Sequence, residues 1–135
     1  MTCSVSVILP VFNSATTLPD TLSSIAAEFA LNPEINWHVI AVDDGSTDDS
    51  VKILQEWNRK LPMTVKTLHH SGNPAGPRNH GIEIATSEYV FFLDADDVLL
   101  KGGLSVALSF ALENDADVVL VKLKSLDGRG VPRGM

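Results

Sequence analysis

The sequence predicts an α/β domain: a buried, mainly parallel sheet with helices on both faces. Three observations lead there. Short apolar runs of strand type alternate with stretches whose apolar residues recur every three or four positions. Several of the runs are apolar on both faces, as the strands of a covered parallel sheet are. Acidic and amide residues gather just after these runs, at the carboxyl ends of the strands, where open sheets of this kind bind ligands near a topological switch point.

Taken in order, "VSVILPV" from Val5 to Val11 is the first strand. Asn13 and Ser14 offer caps for a helix whose face is Leu18, Leu22, Ile25, Ala26 and Phe29, and Asn32-Pro33 stops it. Trp37 to Val42 is a second strand, ended by "DDGS". Ser46 or Thr47 is expected to cap a second helix, with Asp48 and Asp49 in its first turn, where the helix dipole favours anions, and with Val51, Leu54 and Trp57 on one face. Met63 to Leu68 alternates, so it reads as a third strand near an edge. "HHSGNPAGPRNHG" is loop-like, with a short helix starting after Pro77 and ending before Glu88. Tyr89 to Leu93 is a fourth strand, apolar throughout. Leu104, Ala107, Leu108, Ala111 and Leu112 form another helical face, and Ala116 to Val121 is read as a fifth strand. The expected domain is 1–124, Rossmann-like in its layering, with a turn-rich tail over 125–135.

Composition narrows the partners. The 135 residues are 44% hydrophobic, enough for one ordinary domain with a sizeable core. Ten basic residues against seventeen acidic ones leave a net charge of -7, which argues against a nucleic-acid backbone as partner but not against a nucleotide carrying a cation. Cys3 is the one cysteine, so an internal disulfide is impossible and a reducing, cytoplasmic setting is expected. No basic n-region opens the chain, and no apolar run approaches the roughly 20 residues of a membrane span.

"FFLDADD", from Phe91 to Asp97, drives an apolar strand into three carboxylates. Like charges so close repel and resist leaving water. D-x-D spacing is a hard-oxygen site that suits Mg²⁺ or Mn²⁺, with waters and substrate phosphates completing the shell. If the first strand lies between the second and the fourth, strands about 4.8 Å apart set Asp44 and Asp96 across a gap of roughly 10 Å, which a nucleoside fits. Taken singly, "DDGSTDD" also suits a plain turn at a helix start and "DADD" a solvated loop; both falling at strand ends of one sheet favours a site. Arg78 is a candidate for phosphate or base contact through its bidentate fork. His69, His70 and His80 make no zinc set and read as polar loop residues, His80 standing out only for its nearness to Arg78.

Sharper motifs fail. Gly76 to Ile82 has the glycine spacing of a P-loop without its Lys and Ser/Thr, and no G-x-G-x-x-G follows a strand. "FFLDADDV" fits the D-x-D-x-[TV] pattern of haloacid-dehalogenase-type phosphohydrolases, although that motif normally ends the first strand of its domain. This phosphohydrolase class is the alternative enzyme reading.

The ordered set "VSVILPVFN", "VIAVDDGSTDDS", "GPRNHGI" and "YVFFLDADD" resembles the nucleotide-sugar-binding half of inverting family 2 glycosyltransferases of the GT-A fold, and the variant "GNPAGPRN" is nearest to bacterial enzymes acting on wall or surface polymers. The resemblance implies a three-layer GT-A sandwich. It implies that Pro10 and Phe12 line the nucleobase pocket, that Asp44 takes the base N–H with Asp43 beside it, and that Arg78 contacts base or phosphates. Asp94, with Ala95, would approach the ribose or metal-bound water, and Asp96 would ligate Mn²⁺ or Mg²⁺ on the diphosphate. The implied donor is a UDP-sugar, with guanine or thymine open as the base, and the implied acceptor a glycan or polymer. No catalytic residue is assigned, because the family's general base follows the D-x-D in an acceptor-binding half, and the stretch after Asp97 shows no such motif. The chain is therefore expected to be a truncated donor-binding fragment, or a non-catalytic nucleotide-binding module, whose unsatisfied fifth-strand edge invites self-association.

Overall fold

The computed structural model describes residues 3–70, 73 and 75–121. Its elements run β1 (Ser4–Val11), α1 (Leu18–Leu31), β2 (Asn36–Asp43), α2 (Ser50–Trp57), β3 (Met63–Thr67), α3 (Ala75–Ile84), β4 (Tyr89–Phe92) and α4 (Gly103–Glu113). The four strands form one parallel sheet in the order β3-β2-β1-β4. β1 is central and almost wholly buried, and β3 is an edge, as its alternation predicts.

Strand pleating divides β1 between two layers. Val5, Val7, Leu9 and Val11 join the main core with Leu18, Leu22, Ile25 and Phe29 of α1, Leu54 of α2, and Leu104 and Leu108 of α4. Phe29 stacks on Trp37 at 5.1 Å within this core. On the opposite face α3 lies against Ile8, and a Cβ on Gly81 would come within 2.6 Å of the Ile8 Cγ2. Glycine here is what lets helix and strand approach so closely. Helices thus cover both faces, α3 alone on one side among the described residues.

Register sets the site. Val11 pairs with Asp43, and the amide of Asp44 bonds the Val11 carbonyl at 2.8 Å, so Asp44 closes the end of β1 on one side. On the other, Ile8 pairs with Phe92 and accepts the Leu93 amide, which brings Asp94, two residues beyond Phe92, level with Pro10. β1 does lie between the two acidic strand ends.

Several expectations are corrected. Ala116–Val121 forms no strand; Val118 and Leu120 stand 78% and 93% exposed, because no described strand offers them a ladder. Among the described residues the edge on that side belongs instead to β4, whose Val90 and Phe92 are exposed, so this strand is not buried on both faces. α1 begins at Leu18 with Thr17 as N-cap, since the Asn13 side chain is taken by the Thr47 amide and the Ser14 hydroxyl by the Phe12 carbonyl. α2 begins at Ser50 with Asp49 as N-cap, because Ser46 bonds Asp43 and Thr47 bonds Asn13; Asp48 lies before the helix, where it accepts the Ser50 amide, and the first turn holds no acid. α3 starts at Ala75, ahead of Pro77. Leu112 faces outward on α4. The tail 125–135 lies outside the described residues.

Candidate functional site

At the carboxyl end of β1 a crevice of about 770 Å³ opens between the loops that follow β1, β2 and β4 and the start of α3. It gathers Pro10, Phe12, Asp44, Arg78, Asp94, Ala95 and Asp96, all expected from sequence. Asn13, Thr17, His70 and Asn73 also line it.

The β2 end is built as a scaffold. Asp43 is fully buried; its Oδ2 accepts the amides of Gly45 and Ser46, and its Oδ1 accepts the Ser46 hydroxyl. Ser46 Oγ in turn accepts the Asn13 amide at 2.8 Å, and Asn13, at φ 46°, accepts the Thr47 amide through its side chain. Asn tolerates this left-handed backbone better than most residues. The loop after β1 and the loop after β2 are therefore one hydrogen-bonded unit. Asp43, expected among the substrate-binding residues, does not line the crevice: it shapes the turn that presents Asp44.

Asp44 is nearly buried and faces His70, whose Nδ1 lies 3.3 Å from the Asp44 Oδ2 and 3.2 Å from its backbone oxygen. The His70 ring stacks on Phe12, centroids 4.2 Å apart at 19°. Gly45, at φ +83°, makes this possible, since a Cβ there would sit 3.0 Å from the His70 amide nitrogen. The histidine that sequence singled out, His80, instead pairs with Glu83 on α3, outside the crevice. Nothing in the local sequence separates His70 from His69; the Phe12 and Asp44 contacts come from distant segments.

Across β1, Arg78 in the first turn of α3 bonds Asp94 at 2.8 Å, both side chains being well exposed. Asn73 accepts the Ala75 amide and so supports the same helix start, which favours anions. Asp94, Asp96 and Asp97 each present one oxygen, all within 4.8 Å of one another. Asp97, absent from the sequence-based site, belongs to this cluster. Partial burial and then the charges of Asp96 and Asp94 push its carboxyl above the usual range.

These residues fit a hard divalent cation. Ligand distances of about 2.1 Å let one ion bridge oxygens up to about 4.2 Å apart, so small side-chain rotations suffice. The donors are all carboxylate oxygens, the set that Mg²⁺ and Mn²⁺ prefer, and an ion would offset the repulsion felt by Asp97. Within the crevice Asp44, Asp94 and Asp96 outnumber Arg78, so a diphosphate entering without a cation would meet net repulsion.

The profile of "Glycosyl transferase family 2" matches residues 6–133. The poly(ribitol-phosphate) beta-glucosyltransferase of Bacillus spizizenii is 37% identical over 133 residues, which cover 97% of this chain and 21% of that protein. The solved structure of Staphylococcus aureus TarS 1-349 in complex with UDP-GlcNAc superposes with a TM-score of 0.84 at 38% identity, covering 96% of this chain and 37% of that one. The mannosyltransferase PcManGT from Pyrobaculum calidifontis, solved with GDP-Man and Mn²⁺, gives a TM-score of 0.71 at 25% identity over 79% of this chain and 32% of its own. The chain spans about a fifth to two fifths of the length of the curated relatives it matches. The GT-A sandwich is thus the observed fold class, and these matches displace the phosphohydrolase alternative, whose D-x-D would end a first strand rather than follow the edge strand β4. No described helix is long and apolar enough to cross a membrane.

Proposed function

Because this chain belongs to glycosyl transferase family 2, we propose that its crevice binds the nucleoside diphosphate of a UDP-sugar, for inverting transfer to a bacterial surface-polymer acceptor. The observation that carries this reading is the seating of Asp44 and of Asp94 and Asp96 on opposite sides of one strand end, in one crevice. The base lies at the Phe12 and Pro10 end, where Asp44 accepts its N–H. Rings 4.2 Å apart admit no third ring between them, so the base takes a place on or in exchange for His70 rather than between the pair. The diphosphate lies toward Arg78 and the start of α3. Asp96, with Asp94 and Asp97, would hold Mn²⁺ or Mg²⁺ there. When bound, the ion acts as a Lewis acid on the departing diphosphate.

Arg78, which bonds Asp94 in this structure, would hold a phosphate oxygen of the diphosphate through the same guanidinium. In transfer, an acceptor hydroxyl oxygen bonds the anomeric carbon as the bond to the diphosphate breaks and the hydroxyl proton passes to a general base, which inverts that centre. The relatives' names, a poly(ribitol-phosphate) glucosyltransferase and the UDP-GlcNAc-bound TarS, support a UDP-sugar donor and a polyol-phosphate polymer acceptor.

Calorimetric titration of UDP with Mn²⁺, and again with EDTA, tests the donor site. Binding that needs the metal and weakens at least about tenfold, or about 1.4 kcal/mol, in Asp44→Ala and Asp96→Ala is expected. UDP binding that is indifferent to EDTA and to both variants overturns the assignment.

A further inference from the structure

We infer that α1 carries a polar ladder, Thr17, Thr21, Ser24 and Glu28, whose role is to position the Asp94–Asp97 carboxylates for a metal-bound nucleotide. The spacing of four, three and four residues puts these side chains on one helical face. Each engages the backbone of the loop after β4. Thr17 Oγ1 donates to the Ala95 carbonyl at 2.8 Å. Thr21 Oγ1 lies 2.6 Å from the Asp97 carbonyl and 3.0 Å from that of Ala95. A hydroxyl has one proton, so Thr17 serves Ala95 and Thr21 serves Asp97, its shorter contact. Ser24 Oγ accepts the Leu99 amide at 3.0 Å, and Glu28 Oε1 accepts the Gly102 amide.

A helix needing only to pack on the core would not bury such residues. Thr21 is wholly buried and Glu28 is 1% exposed, with Glu28 Oε2 lacking a partner among the described residues. Burying polar groups costs free energy that apolar side chains of similar size would not. What the ladder provides is a loop held from behind by its peptide groups. Ala95 is pressed into the core, its carbonyl bound to α1, while Asp94 and Asp96 on either side remain accessible to the crevice. Three like charges would otherwise drive the loop apart in the absence of an ion. The inference rests on the proposed reading of the crevice.

Thr21→Val tests it, because it keeps the shape and removes the hydroxyl. Mn²⁺ affinity in the presence of UDP is expected to fall about tenfold, the lower end for groups that orient metal ligands. Amide hydrogen exchange at Leu99 and Gly102 is expected to quicken, and Thr21→Ser to restore the Mn²⁺ affinity. A folded Thr21→Val that binds Mn²⁺ and UDP like the wild type overturns the positioning role, even if its melting temperature falls. Should Thr21→Val not fold, Ser24→Ala removes the Leu99 bond together with the local bond from Ser24 to the Thr21 carbonyl, and unchanged Mn²⁺ affinity in that variant overturns it equally. A wild-type chain that takes up no Mn²⁺ with UDP overturns the crevice reading and this inference together; binding by the wild type with no change in the variants overturns the inference alone.

Discussion

Two acidic loops flank the end of β1, and they use their carboxylates in opposite ways. In "DDGSTDD", Asp43 and Asp48 are consumed by the protein itself: Asp43 by two amides and a hydroxyl, Asp48 by the amides of Ala15 and Ser50. Hydrogen bonding to Ser50, above all, holds the Asp48 carboxyl below its usual range. In "DADD" it is the peptide groups that are bonded, to α1, while of the carboxylates Asp94 takes one exposed donor, Arg78, and Asp97 is pushed up by partial burial and by the charges of Asp96 and Asp94. Similar composition therefore makes a hydrogen-bonded scaffold around Asp43 and Asp48 on one side and a group of crowded carboxylates on the other. What separates them is whether backbone amides within the fold reach the carboxylate oxygens, as they do at Asp43 and Asp48.

The contrast breaks most visibly at Asp43. Asp43→Ala strands two amides and a hydroxyl in a buried turn and is expected to cost about 3 kcal/mol in urea denaturation, whatever it does to binding. Asp96→Ala should do the reverse: stability within about 0.5 kcal/mol of wild type, with Mn²⁺-dependent UDP binding lost. A large stability loss in Asp96→Ala would mean that "DADD" is a scaffold as well.

Two smaller effects sharpen the comparison through pH. Asp97 has a raised folded-state pKa, so its ionised form disfavours the fold, and that cost appears as pH rises through the carboxylate range. Without metal, Asp97→Asn should gain about 0.5 kcal/mol near neutrality, since solvent screens much of the repulsion, and show no gain in acid. Asp48 has a lowered folded-state pKa, so its contribution is present above the usual carboxylate range and lost as pH falls through the folded value. Asp48→Asn should therefore lower the melting temperature slightly at neutral pH, with the difference vanishing in acid. Thermal melts across pH check both signs.

Much of this architecture is legible in the chain itself. The four strands fall where their apolar runs lie, and the Leu18, Leu22, Ile25 and Phe29 stripe packs inward as its spacing predicts. The misses share a cause. Ala116–Val121 has strand composition, but a strand exists only with a partner. Asn13, Ser14, Ser46 and Thr47 are good caps by type, yet each is engaged across the β1 and β2 loops or within its own turn. His70 looked like a loop residue because Phe12 and Asp44 are far away in sequence.

Hydrophobic periodicity is a local property, so the sequence alone determined the alternation of strands and helices and the placing of polar residues at the strands' carboxyl ends. Tertiary structure decided which carboxylates are spent on the fold and which face the crevice. It set Asp44 opposite Asp94 and Asp96 by putting β1 between β2 and β4. It also set the α1 ladder behind the loop that follows β4, joining residues more than seventy positions apart. Such partnerships depend on which donors the folded chain brings within hydrogen-bond reach, and no residue carries that information in its own neighbourhood.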